Sequence, residues 1–115
     1  MFPGLTVKFT DSELRTFNLL ISAILTESLN NDDKIYRYAV KDVFGEITLK
    51  VHRKLIANRA KHSFTFKPIE VQLLFVELYD LSNKYADNSF EHYVYLKIMK
   101  AIDQFQINLP NVSQH

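Results

Sequence analysis

The chain has no cysteine and no tryptophan, and only two glycines and three prolines among 115 residues. Without thiols, disulfides, zinc knuckles, thiolate nucleophiles and thiol-based redox switches are excluded by arithmetic. So few turn-forming residues leave little material for the many tight turns of a sandwich or barrel, and favour helices. Neither sign of charge is in excess. Fourteen Lys and Arg against thirteen Asp and Glu give a formal net charge of +1, which excludes the overall field of a nucleic-acid-coating protein and leaves only local patches. No long hydrophobic run is present either: Phe17 to Leu25 is interrupted by Asn18 and Ser22, and is about half of the ~20 residues a membrane helix needs. The opening Met1-Phe2-Pro3-Gly4 lacks a basic region followed by an apolar core, so no secretion signal or membrane association is expected, and a cytoplasmic location is the default.

Apolar residues make up 47% of the chain and aromatics 13%, enough side-chain surface to offset the entropy of ordering one domain over residues 1–115. Leu5, Val7 and Phe9 alternate with Thr6 and Lys8, the two-residue period of a short strand over 5–9. Thr10-Asp11-Ser12-Glu13 then matches a capping box and predicts a helix start. Leu14, Phe17, Ile21, Ile24 and Leu25 share one face of that helix until Ser28-Leu29-Asn30-Asn31 breaks the pattern.

Between Asp33 and about Asn58 two readings compete. Ile47, Leu49 and Val51 alternate after Gly45, as in a hairpin over 44–52. A single helix explains more residues, because Tyr36, Val40, Val43, Phe44, Ile47, Val51 and Leu55 fall within about a third of its circumference. One long helix is therefore predicted, with Gly45 costing about 1 kcal/mol relative to Ala.

Phe64 and Phe66 again alternate with polar neighbours, predicting a second strand over 62–67, followed by Pro68 at a position where the first turn of a helix tolerates a missing N–H. At an offset of 57, residues Val7 to Leu14 align with Phe64 to Val71, matching Phe to Phe and Glu to Glu. A strand-helix-helix repeat would follow, with its two strands paired. The third helix, Pro68 to about Lys84, carries Val71, Leu74, Phe75, Leu78, Leu81 and Tyr85 on one side and Ile69, Leu73 and Val76 on another. It is expected at the centre of the core, with a polar strip of Glu70, Glu77, Asp80 and Lys84. A fourth helix is predicted from a cap at Asn88 with Glu91 three residues on, burying Phe90, Val94, Ile98, Ala101, Ile102 and Phe105. It ends at Asn108-Leu109-Pro110, leaving 109–115 as a flexible tail. The expected fold is mainly α: a four-helix domain with the two short strands paired as a small ribbon.

Chemistry-bearing motifs are scarce. There is no Gly-rich phosphate loop, serine elbow or calcium loop, and His52, His62, His92 and His115 have no ligand-like spacing. Glu70, Glu77 and Asp80 have the chemistry for cation or acid–base work, yet a solvated helix face explains them without further assumptions and is the preferred reading. No catalytic role, metal, cofactor or small-molecule ligand is expected. Two features invite a macromolecular partner. Ile35, Tyr38, Leu49 and Ile56 form a minor apolar stripe on the long helix, away from its main face, and mark a protein or self-association interface if it stays uncovered. Lys50, Arg53, Lys54, Arg59, Lys61 and Lys67 form a segment with no acidic residue, suited to a phosphate backbone. Cations near a helix C-terminus also stabilise its dipole, so the segment has a purely structural explanation as well. A protein-interaction domain, self-associating as a homodimer, is the first expectation, and a nucleic-acid-binding module the second.

Overall fold

The structure, a computed structural model, describes residues 4–57, 59–81 and 87–108. Its element order is β1 (Leu5–Thr10), α1 (Asp11–Ser28), α2 (Lys34–Ile56), β2 (Lys61–Phe66), α3 (Pro68–Asp80) and α4 (Phe90–Asn108). The two strands pair antiparallel, with Val7 opposite Phe64 at the middle and Leu5 opposite Phe66 at one end. The ribbon is thus the one expected, with β1 extended by one residue to Thr10 and β2 shifted back by one.

Each strand delivers the chain into a helix by the same device. Thr10 caps α1: its Oγ1 accepts the Glu13 amide at 3.1 Å while Glu13 Oε1 accepts the Thr10 amide at 2.8 Å, closing both halves of the capping box. After β2, the Lys67 amide donates to Glu70 Oε1 at 2.7 Å. Lysine has no acceptor to return the bond, so Pro68, which needs no partner for a missing N–H, stands at the first turn instead. Between α1 and α2, Asp33 takes over as a cap, its carboxylate accepting the amides of Ile35 and Tyr36.

The stretch 44–52 is helix, not hairpin, within a continuous α2 of 23 residues. The reason is visible in burial: Val40, Phe44, Ile47 and Val51 are all fully buried at the spacing of one helical face, while Leu49, which a strand would put on the same side as Ile47 and Val51, is exposed. The helix packs chiefly against α1, whose own inward side meets the ribbon. Phe17 of α1 lies among Phe9, Phe64 and Phe66, with ring centroids at 5.3, 6.2 and 5.7 Å, and burying each such ring contributes about 2–3 kcal/mol.

The centre of the core is α1, not α3. The first helix packs against α2, α4 and both strands, and buries Leu14, Phe17, Leu20, Ile21 and Ile24. The third helix ends at Asp80, is only 13 residues long, and buries Val71, Leu74 and Leu78 on its inner side. Its second apolar side, expected to be covered, is open, with Ile69 and Val76 exposed and Leu73 half-buried, and Phe75, expected on the inner side, is exposed as well. Tyr85 and Lys84 lie outside the described residues, as does the tail 109–115.

Caps and burial correspond between the halves of the chain at the offset of 57. Leu14, Phe17, Ile21 and Ile24 are buried on α1, and Val71, Leu74, Leu78 and Leu81 are buried at the matching positions. Helices of 18 and 13 residues interrupt the correspondence. The fourth helix begins one residue later than expected, because Ser89 rather than Asn88 is the cap: its Oγ accepts the His92 amide at 3.1 Å. Phe90, expected inside, is then exposed and stacks on Tyr93 at 5.6 Å.

Candidate functional site

The outward face of α2 carries the apolar stripe read from the sequence. Ile35, Tyr38, Leu49 and Ile56 are 82, 67, 57 and 83% exposed, so no element of the chain itself covers them. At about 100° per residue they lie within about a quarter of the helix circumference, with Asp42 and Gly45 among them, over a length of about 30 Å. Beside the stripe, between the end of α1 and the first half of α2, runs an open groove of about 540 Å³ lined by Leu25, Ser28, Leu29, Arg37, Tyr38, Lys41 and Gly45. Leu25 and Leu29 were not anticipated at this site. Leu25 reads in the sequence as part of the inward face of the first helix, and Leu29 falls where the pattern breaks.

Gly45 sits at the midpoint of that face. A Cβ built there would meet nothing within 4 Å, so the chain's own packing does not require a glycine, although it costs the helix about 1 kcal/mol.

The basic segment divides. Lys50 turns inward and its Nζ lies 3.4 Å from Glu70 Oε2, a carboxylate that is almost wholly buried. Lys67 is exposed at the start of α3 and lines neither of the hollows below. Arg53, Lys54, Arg59 and Lys61 come together with Ala57, His62 and Ser63 around one hollow of about 300 Å³. A second hollow of about 190 Å³, lined by Lys50, Arg53, Lys54, Phe64 and Thr65, shares two of these cations.

The expected polar strip of α3 is not a solvated face. Glu70 and Glu77 are both buried, each held by a group far away in the sequence: Glu70 by Lys50, and Glu77 by the Tyr36 hydroxyl, which donates to Oε2 at 2.8 Å. Burial pushes the Glu77 carboxyl above its ordinary value, and the nearby Asp80 charge adds to this. Burial and Glu77 together push the Tyr36 hydroxyl up to about 12, so it remains a donor throughout the physiological range. Glu77 and Asp80 line a hollow of about 230 Å³ with Glu27, Ser28, Asn30 and Asn31.

The buried Glu13 has its own counter-charge. Burial raises its carboxyl, but the Lys97 ammonium at 2.7 Å and the Thr10 amide more than offset that, and the net effect is a lowered value. At the start of α1, Arg15 and then His62 hold the Asp11 carboxyl below its usual range; Arg15 Nε lies at 2.7 Å and His62 Nε2 at 3.2 Å. Among the described residues no three His, Asp or Glu side chains are grouped to hold a metal ion, and no helix is long and apolar enough to cross a membrane.

No protein-family model, curated protein or solved structure matches this chain.

Proposed function

We propose that this chain is a non-enzymatic protein-interaction domain that associates with a second copy of itself along α2. The observation that carries this reading is the exposed stripe Ile35, Tyr38, Leu49 and Ile56, with a glycine at its midpoint that the chain's own packing does not need. A twofold pairing makes one surface serve both partners. Two α2 helices crossing antiparallel at Gly45 set Ile35 of one copy near Ile56 of the other. They also bring Asp42 to within about 7.5 Å, measured along the axis, of Arg53 in the second copy. The missing Cβ permits close approach at the crossing, and Tyr38, beside the groove, supplies a large contact area with a polar tip.

Sedimentation equilibrium from micromolar to millimolar concentration tests this. A mass rising toward twice the 13.5 kDa of the monomer is expected, and Leu49→Asp with Ile56→Asp should hold the chain at the monomer mass. Both side chains are exposed in the monomer, so the fold should be kept. A monomer at every concentration, or association unchanged by the two substitutions, overturns the reading.

A further inference from the structure

The outward face of the β1–β2 ribbon carries no acidic and no large apolar side chain. Alternation turns Val7, Phe9, Phe64 and Phe66 inward, all buried, and leaves Thr6, Lys8, Thr10, Lys61, Ser63 and Thr65 facing out. The register places Lys8 opposite Ser63 and Thr10 opposite Lys61, while the Thr6 and Thr65 hydroxyls lie 2.9 Å apart. Every outward residue is a lysine or a hydroxyl. Next to this face, the two hollows between β2 and the end of α2 add Arg53, Lys54 and Arg59, and no acidic side chain lines either of them. Lys8, Arg53, Lys54, Arg59 and Lys61 make no ion pair among the described residues. Asp11, next in the chain to Thr10, is held by Arg15 and His62, and Glu70 by Lys50. In a chain of net charge +1, five uncompensated cations on one side are a local concentration of charge, with acids placed elsewhere.

We infer that this face binds the phosphodiester backbone of a nucleic-acid duplex. Ammonium, guanidinium and hydroxyl donors are the groups that contact phosphate oxygens. Single strands are held largely by stacking on aromatic side chains, and the ribbon offers none outward because its phenylalanines form the core. A rigid platform of donors, about 20 Å along the strands, suits a surface of regularly spaced phosphates and reads no base edges. Binding is therefore independent of sequence. Thr6 and Lys8 join the site only through strand pairing, while Lys67 lines neither hollow and Lys50, which lines one of them, is held by Glu70.

Fluorescence anisotropy with labelled 20-base-pair DNA and RNA duplexes and a single strand of the same length tests this, and the two duplex arms distinguish the source of the phosphates. Duplex binding in the range of about 10⁻⁴ to 10⁻⁶ M near physiological salt is expected, weakening steeply as salt rises. The triple variant Lys8→Ala, Arg59→Ala, Lys61→Ala should lose at least about tenfold in affinity, and its salt slope should fall by about 2–3. Lys34→Ala, at the other end of α2, should change neither. Amide shifts in the unaltered protein on adding duplex should centre on residues 6–10 and 59–65, a readout that needs no variant. Absence of duplex binding at low salt, tighter binding of the single strand, or shifts centred elsewhere overturns the inference. None of the three substituted residues lies on the α2 stripe, so this outcome is separate from that of the self-association test.

Discussion

Glu13, the third residue of α1, and Lys97, near the middle of α4, meet at 2.7 Å across 84 residues of chain. The carboxylate is buried, already used by the Thr10 cap, and the same ammonium stands 5.6 Å from the centre of the Phe9 ring. One lysine thus ties the start of α1, the last helix and the ribbon together. Removing it leaves a buried carboxylate without its counter-charge, a larger loss than the pair itself contributes. Lys97→Met should cost about 2 kcal/mol, toward the low end for such a break because the lysine is about a third exposed. Glu13→Gln in the same chain should recover part of that loss, as read by urea denaturation of the single and double variants.

Phe17 has ring neighbours on both strands. Its replacement by Ala should destabilise the fold by about 3–5 kcal/mol, whereas Leu19→Ala on the exposed side of the same helix should change stability by less than about 0.5 kcal/mol. Thermal unfolding followed by circular dichroism separates the two.

The buried carboxylates give the stability–pH curve two opposing contributions. Glu13 is lowered from its ordinary 4.5, so its contribution is complete above that value and is lost as pH falls through the lower folded value. Glu77 is raised from 4.5, so its contribution is present below that value and is lost as pH climbs through the higher folded one. Glu77→Gln keeps an acceptor for the Tyr36 hydroxyl and removes the charge. It should raise stability at neutral pH and leave it nearly unchanged at pH 4. Glu13→Gln should flatten the acid limb instead. Denaturation midpoints measured from pH 3 to 8 check both signs.

Gly45→Ala separates the helix from its proposed partner. In the monomer the new methyl group meets only open space, and helix propensity should add about 1 kcal/mol. The same methyl stands where two copies of α2 would cross, so self-association should weaken as the monomer is stabilised. Unfolding at low concentration and sedimentation at high concentration measure the two effects.

Much of the fold was legible in the residues because its signals are local. The Thr10–Glu13 box, the alternation around Val7 and Phe64, Pro68 at a first turn, and the inward stripe of α2 each concern residues a few positions apart. The exposed stripe Ile35, Tyr38, Leu49 and Ile56 is the same kind of signal: a face left over once the main face is assigned. Tertiary structure decided what depends on distant partners. That α1 is central, that Glu70 and Glu77 are buried, that Lys50 leaves the basic segment and that Lys8 joins the other cations all follow from contacts and strand register spanning some 20 to 60 residues. A side chain's own neighbours in sequence carry no period from which such pairings follow, because burial of a charge is set by the group that arrives to compensate it.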